Sequence, residues 1–159
     1  VKSLKGLPVE LLTLHTVGGA EMMRWAVEAA KETNPDLKLL GVTVLTSMDD
    51  AQLRETGVPT GAPEQVERLA RLGQASGLPG FVCSPLELPS LRKILGDDSL
   101  LVTPGVRPAG ADLDEQKRVM TPRQAAQAGA SHIVVGRPIL KAPDPAQAVR
   151  AIAQELRDA

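Results

Sequence analysis

Five short apolar runs of strand length recur along this chain, each followed by a stretch with helical periodicity. Continuous apolar runs, as opposed to alternating ones, are typical of strands that are buried on both faces of a parallel sheet. Repeated strand–helix units therefore predict an α/β fold built around such a sheet. The strands are predicted at residues 9–13, 39–45, 80–83, 100–103 and 132–135.

The amphipathic stretches between these runs predict six helices with ordinary start and stop signals. Thr121 followed by Pro122 is typical of an N-cap and a first helical position, and Gly77, Gly96 and Gly129 fall where helices should end. The helices are predicted at residues 20–32, 49–56, 63–77, 87–95, 122–128 and 145–158.

Composition narrows the class of protein. The chain has 159 residues, 43% of them apolar, and 18 Lys and Arg against 19 Asp and Glu, which gives a formal net charge of −1. Interspersed charges without a basic stripe argue against a nucleic-acid partner. No apolar run approaches the roughly 20 residues that cross a bilayer, and no basic-then-apolar leader opens the sequence, so we expect no membrane partner and a cytoplasmic protein.

The single cysteine, Cys83, excludes an internal disulfide and a cysteine-cluster metal site. The other side chains that commonly bind transition metals are two histidines, and no metal site can be assembled from them. We therefore predict neither a metal nor a cofactor. The length predicts a single domain over residues 1–159.

A strand–helix repeat of this kind fits either an open doubly wound sheet or part of a (β/α)8 barrel. Gly136 and Arg137 predict a short extra helical turn directly after the last strand. Phosphate-binding barrels commonly hold their ligand there, with the loops after strands 7 and 8. If the last strand is strand 8, the first is strand 4, and we expect three further βα units to precede it.

One segment, residues 105–120, lacks periodicity and is long for a loop, which is typical of functional or mobile loops. We predict that it acts as a lid. It contains Arg107 and Gln116, which would stand beside Gly136 and Arg137. Taken singly, each is most simply a solvated loop residue, but together two arginines, an amide and a glycine N–H suit a phosphate dianion.

Four ordered motifs carry a family resemblance: TVLTSM at 43–48, VTPGVRP at 102–108, DEQKR at 114–118 and IVVGRPI at 133–139. With LTLH at 12–15, the Gly pair at 18–19 and the Met pair at 22–23, they resemble the bacterial orotidine 5'-phosphate decarboxylases over essentially the whole chain. The resemblance implies a (β/α)8 TIM barrel of the phosphate-binding type, represented here by strands 4 to 8.

The family converts orotidine 5'-phosphate to UMP and carbon dioxide in pyrimidine biosynthesis, without a cofactor and as a homodimer. Carried over to this sequence, the resemblance implies that Thr46 contacts the substrate near its pyrimidine, while Arg107, Gln116, Gly136 and Arg137 hold the 5'-phosphate. From spacing alone, Thr46 could equally cap the helix that begins near Asp49.

The family's chemistry is carried by an Asp-x-Lys-x-x-Asp motif, helped by another aspartate and lysine on earlier strands. None of these is found here, so no catalytic residue is predicted in this chain. Asp36-Leu37-Lys38 resembles the motif's start, but Gly41 stands at the second aspartate's position, and a helix-to-strand loop is the simpler interpretation. Lys2 and Lys5 are expected as charges on a preceding helix.

Three remaining residues could carry chemistry. His15 would end the first strand near the site, but no serine, cysteine or carboxylate pair accompanies it, so we expect a hydrogen-bonded structural histidine. His132 opens the last strand at the opposite, stability face. Cys83 lies in an apolar run and is expected to pack as a small hydrophobe.

Two other functions stay open. The chain could belong to a related phosphosugar-barrel decarboxylase that acts on an acyclic sugar phosphate. It could also be a non-catalytic module that binds a phosphate ligand, if the 159 residues are complete as given, because five βα units cannot close an eight-stranded barrel.

Overall fold

A computed structural model describes residues 1–108 and 120–159 of the chain. Its centre is a five-stranded sheet in which every neighbouring pair is parallel and the spatial order follows the chain order. Such an order requires a crossover between each pair of strands, as predicted. The strands are β1 (Leu11–His15), β2 (Lys38–Val42), β3 (Gly80–Val82), β4 (Leu100–Thr103) and β5 (His132–Ile133).

The predicted helices are present with shifts of a few residues at their ends, and the short turn after β5 is helical. Thr121 is the N-cap of its helix, its hydroxyl accepting a hydrogen bond from the Gln124 N–H at 3.2 Å. Gly77, Gly96 and Gly129 all have positive φ at helix ends, as expected of glycine stops. The helices are α1 (Gly19–Thr33), α2 (Asp50–Glu55), α3 (Ala62–Ala75), α4 (Leu88–Leu95), α5 (Pro122–Gln127), α6 (Arg137–Leu140) and α7 (Pro145–Arg157).

The start of the chain differs from the prediction. Lys2–Leu4 forms one turn of 3-10 helix, and the Lys2 ammonium lies 3.4 Å from a carboxylate oxygen of Glu32 at the end of α1. Asp36 lies in the turn before β2, and Lys38 is the first residue of that strand, so the helix-to-strand interpretation of this segment is confirmed.

The two faces of the sheet are used differently. On β1, Leu12 and Leu14 pack against the main hydrophobic cluster, while Leu11, Thr13 and His15 are exposed on the other face. The cluster lies between the sheet and helices α1, α3 and α4 and is built from aliphatic side chains around one aromatic residue. Its fully buried members include Met23, Val66, Phe81, Leu88, Leu91 and Leu101.

Phe81 requires two glycines around it. A Cβ at Gly73 on α3 would stand 2.5 Å from its ring, and a Cβ at Gly41 on β2 would stand 3.2 Å from the same ring. Only a residue without a side chain lets α3 approach the sheet this closely. This close approach fixes the last turn of α3 against β2 and β3.

Candidate functional site

The predicted ligand residues follow the carboxyl ends of three strands. Thr46 comes four residues after β2, Arg107 four residues after β4, and Gly136 and Arg137 shortly after β5. Because β4 and β5 are neighbours, the structure brings the segments of Arg107 and Arg137 to adjacent strand ends, while β3 separates them from the segment of Thr46. Ligands of α/β sheets bind at this edge. Gln116 lies outside the described residues.

Threonine side chains tie the strand ends at this edge together. The Thr16 hydroxyl donates to the Val42 carbonyl at 2.8 Å, and the Thr43 hydroxyl donates to the Val82 carbonyl at 3.1 Å. The Thr103 hydroxyl, fully buried, donates to the Cys83 carbonyl at 2.9 Å. Each bond continues the sheet ladder by one step with a side chain, so the segments that follow start from fixed positions.

Arg107 is held by its backbone, and its buried side chain is only partly hydrogen-bonded within the described residues. Its N–H donates to the Met120 carbonyl at 3.0 Å, and Val106 forms a parallel bridge with Met120. The residue is only 7% exposed, and its Nη1 donates to the Val106 carbonyl at 3.0 Å. Its Nε is buried without a hydrogen-bond partner among the described residues. No carboxylate of the described residues forms an ion pair with it. A buried guanidinium in this state is suited to an anion.

Gly136 and Arg137 stand where the backbone turns from β5 into α6. Gly136 is exposed, and a Cβ built on it would meet no atom within 4 Å, so packing within the described residues does not require a glycine here. Arg137 is half-buried as the first residue of α6. The space in front of Gly136 leaves room for a ligand to approach the backbone.

Thr46 is half-buried and lines a cavity of about 450 Å³ with residues from the starts of α2 and α3. Neither Arg107 nor Arg137 is among the described residues that line it. The alternative interpretation of Thr46 as a helix cap is wrong. Asp49 caps α2, accepting from the Gln52 N–H at 3.1 Å while the Gln52 side-chain oxygen accepts from the Asp49 N–H.

The acidic residues beside Thr46 accept hydrogen bonds from backbone N–H groups at the starts of two helices. Besides the Asp49 cap, a carboxylate oxygen of Asp50 accepts a hydrogen bond from the Ala62 N–H at 2.8 Å, at the start of α3. These carboxylates stabilise the helix N-termini and link α2 to α3. Thr46 therefore stands on a segment whose direction is fixed by capping.

The structure also describes the three other residues that could carry chemistry, which are His15, His132 and Cys83. His15 is exposed at the end of β1, and no hydrogen bond joins its side chain to another described residue, so its predicted structural role stays a prediction. His132 opens β5 at the opposite edge, as predicted. Cys83 is fully buried in the core cluster, and burial, with the nearby Glu87 charge, raises the pKa of its thiol far above the usual range. A neutral buried thiol is a poor nucleophile.

Sequence reasoning missed Gln65. This residue of α3 is 8% exposed, and its side-chain oxygen is buried without a hydrogen-bond partner. The signal was present in the periodicity, because Gln65 stands one helical turn before Leu69 and two before Gly73, on the buried face of α3. It lines a second cavity of about 450 Å³ at the ends of β1 and β2.

Residues 1–108 and 120–159 contain neither a metal-binding cluster nor a membrane-spanning helix. No group of three or more histidine, cysteine, aspartate or glutamate side chains could hold a metal ion there. None of the helices in these ranges has the length and apolar character needed to cross a membrane.

Comparisons with known proteins agree over nearly the full chain. The model of the orotidine 5'-phosphate decarboxylase / HUMPS family matches residues 1–152. The orotidine 5'-phosphate decarboxylase of Opitutus terrae is 55% identical over 157 residues, which is 99% of this chain and 68% of that protein. That of Gluconobacter oxydans is 51% identical, again covering 99% of this chain and 68% of the relative.

A solved structure gives the same result. The crystal structure of orotidine 5'-phosphate decarboxylase from Lactobacillus acidophilus superposes with a TM-score of 0.84 at 41% identity, covering 98% of this chain and 66% of that one. The chain thus spans about two thirds of the length of the relatives it matches. The predicted fold class is confirmed: the parallel sheet is part of an α/β barrel of the TIM type.

Proposed function

The chain belongs to the orotidine 5'-phosphate decarboxylase family, and we propose that the protein containing it converts orotidine 5'-phosphate to UMP and carbon dioxide. In this proposal the chain is one domain, and β1 to β5 correspond to strands 4 to 8 of an eight-stranded barrel. The names of relatives are weak evidence for an activity, because one fold supports many different activities. The proposal therefore depends on the site.

The observation that carries it is the buried guanidinium of Arg107, whose Nε has no hydrogen-bond partner among the described residues. Burying a charged group without an anionic partner costs free energy, so such a group in a native protein needs an explanation, and a bound anion supplies one. Arg107 follows β4, which would be strand 7, and the loops after strands 7 and 8 are where phosphate-binding barrels hold a phosphate. Its planar donors match phosphate oxygens in a forked geometry.

The other proposed binding residues would contact the two ends of one ligand, its phosphate and its pyrimidine. Arg137 and the Gly136 N–H would contact the 5'-phosphate beside Arg107, with Gln116 as a further donor. The Thr46 hydroxyl, at the cavity near α2 and α3, would make a directed hydrogen bond to the pyrimidine. The positions after β2 and after β5 are separated along the sheet edge, as an extended nucleotide requires.

In the proposed reaction the bond between pyrimidine carbon 6 and the carboxylate breaks, carbon dioxide leaves, and carbon 6 retains the electron pair and is then protonated. No residue of this chain is assigned to that proton transfer. The part of this chain is binding: contacts to a phosphate remote from carbon 6 supply free energy that orients the base and excludes water around it.

Two further properties belong to the proposal. A homodimer is expected from the family resemblance, with a second copy contributing to the site. A cytoplasmic location is expected for a metabolic enzyme that acts on a soluble nucleotide. Both are testable by the mass of the protein in solution and by fractionation of cells.

The experiment is a comparison of UMP with uridine, which lacks only the phosphate. Isothermal titration of the protein containing this chain should show UMP binding at least about a hundredfold more tightly than uridine, since several charge-assisted hydrogen bonds are involved. Loss of absorbance from orotidine 5'-phosphate measures turnover in the same sample. Arg137→Ala should lower kcat/KM. The loss of transition-state binding free energy should be about 3 kcal/mol or more, of the order that two or more such bonds supply.

Arg150→Ala is the matched control, because Arg150 is an exposed arginine on α7 away from the strand ends. It should leave both affinity and turnover unchanged. Equal affinity for UMP and uridine would contradict the proposal. Tighter binding of an acyclic sugar phosphate than of UMP would support the phosphosugar alternative in its place.

A further inference from the structure

A second cavity, which shares Met48 with the one at Thr46 but not Thr46 itself, opens where β1 and β2 end. Its volume is about 450 Å³, within the range of about 300 to 1,000 Å³ that is typical of small-molecule sites. Its wall is mainly aliphatic, with a few polar side chains among them. The apolar lining includes Val17, Val44, Leu45, Met48, Leu53, Val58 and Leu69, and the polar lining is His15, Thr43, Thr56 and Gln65.

Most of these polar groups are already accounted for. The Thr43 hydroxyl donates to the Val82 carbonyl, and the Thr56 hydroxyl donates to the Leu53 carbonyl at 2.7 Å. His15 is exposed to solvent at the rim. Gln65 differs because it is 92% buried and its amide oxygen has no hydrogen-bond partner within residues 1–108 and 120–159. A buried acceptor left unpaired is costly, and such cases in native proteins need an explanation.

A ligand in the cavity would account for the amide oxygen of Gln65 that lacks a partner among the described residues. The last torsion of a glutamine side chain is broad, so a small rotation brings the oxygen toward the space that the residue lines. A molecule in the cavity that carries one O–H or N–H donor would pair with it, while an apolar body would contact the aliphatic wall.

We propose that this cavity is a binding site for a small, mainly apolar molecule, of the size of a substituted benzene ring, that donates one hydrogen bond to Gln65. The proposal does not depend on the function proposed above, because it uses neither the phosphate residues nor Thr46. The donor requirement is the specific part: an apolar cavity without an acceptor would select the most hydrophobic molecule that fits.

Phenol and toluene provide the test, because the two molecules have nearly the same shape and differ by a hydroxyl in place of a methyl. Methyl-labelled protein is titrated with each, and shifts of the Leu53, Val58 and Leu69 methyl resonances, from residues that line this cavity and not the one at Thr46, give the affinities and the location. We expect phenol to bind about tenfold more tightly than toluene, the effect of one hydrogen bond to a buried acceptor.

Gln65→Leu, which keeps the side-chain volume and removes the acceptor, should reverse the order so that toluene binds more tightly. Gln127→Leu, at an exposed glutamine of α5, is the matched control and should leave the order unchanged. Toluene binding as tightly as phenol to the unsubstituted protein would overturn the proposal. So would a titration in which neither molecule shifts these methyl resonances. Both results come from the unsubstituted protein and hold even if Gln65→Leu does not fold.

Discussion

Arg92 and Arg107 stand at opposite edges of the same sheet and are used in opposite ways. Arg92, on α4, makes six hydrogen bonds to acceptors just before β4 and β5, including the Ser99 carbonyl at 2.7 Å and the Gly129 carbonyl at 2.7 Å. Arg107, after β4, makes one side-chain hydrogen bond and leaves its Nε unpaired although it is more deeply buried.

The difference separates stability from function within one architecture. At the amino edge each of the three guanidinium nitrogens of Arg92 donates to an acceptor, so this arginine joins the end of α4 to the loops that precede two strands. At the carboxyl edge the chain leaves donors and acceptors unpaired, at Arg107 and at Gln65. Unpaired groups at the carboxyl edge fit a barrel that binds its ligand at the carboxyl ends of its strands.

The largest expected effect is at Arg107. Arg107→Leu should lower the affinity for UMP by about 3 kcal/mol, because charge-assisted hydrogen bonds to the phosphate are lost. The free energy of unfolding should change by about 1 kcal/mol or less, since the substitution also removes a buried unpaired donor. Calorimetric titration and urea denaturation measure the two quantities. A large loss of stability with unchanged UMP affinity would make Arg107 a structural residue like Arg92.

Arg92 should show the reverse. Arg92→Leu is expected to lower the free energy of unfolding by about 3 kcal/mol, because several carbonyl groups at the amino edge lose their donor together. UMP affinity should stay within about twofold, since the site lies at the far edge of the sheet. Arg92→Lys should recover part of the stability, because an ammonium can satisfy only some of these acceptors. Equal effects of both substitutions on affinity would remove the distinction between the edges.

The alternation of apolar runs and amphipathic stretches was sufficient to predict the parallel sheet and its helices, but strand ends were less predictable. The second strand was expected to reach Leu45, and β2 ends at Val42. The apolar run continues because Val44 is 5% exposed in the core cluster after the chain has left the sheet. Burial and ladder pairing are separate conditions, and an apolar pattern reports only burial.

The site was predictable only in part for a similar reason. Arg107 and Arg137 could be assigned to neighbouring strand ends, because a parallel sheet brings its carboxyl ends together. The Arg92 network joins residues up to 39 positions apart, and no local pattern indicates it. The exposed His15 side chain and the unpaired Gln65 oxygen likewise depend on which neighbours tertiary packing supplies.

Cys83 is a buried group near the carboxyl edge, and the pH dependence of stability tests whether its role is purely structural. Burial first, and then the Glu87 charge, raise the pKa of its thiol, with Arg92 acting in the opposite sense. The folded state therefore holds this proton more tightly than the unfolded state does. The corresponding stability is complete below the ordinary thiol pKa and is lost above it, by about 1.4 kcal/mol per pH unit.

Chemical denaturation of Cys83→Ala at the same pH values is the control for this prediction. The substitution lowers stability at neutral pH through the cavity it leaves, but it should remove the thiol's share of the alkaline slope. The unsubstituted protein should also react slowly with thiol reagents in the native state. Identical slopes above pH 9 in the two proteins would show that Cys83 does not contribute to the alkaline loss.

The smallest expected effect is at Thr103, whose hydroxyl ties β4 to the Cys83 carbonyl ahead of the Arg107 segment. Thr103→Val keeps the side-chain shape and removes that bond, so the free energy of unfolding should fall by about 1 kcal/mol. Thr13→Val, on the exposed face of β1, is the matched control and should stay within about 0.5 kcal/mol. Because Arg107 follows Thr103 by four residues, UMP affinity should fall a few-fold in Thr103→Val alone. If affinity is retained while stability falls, the hydroxyl supports the sheet without positioning the phosphate residues, and the carboxyl edge contains structural positions as well as ligand-binding ones.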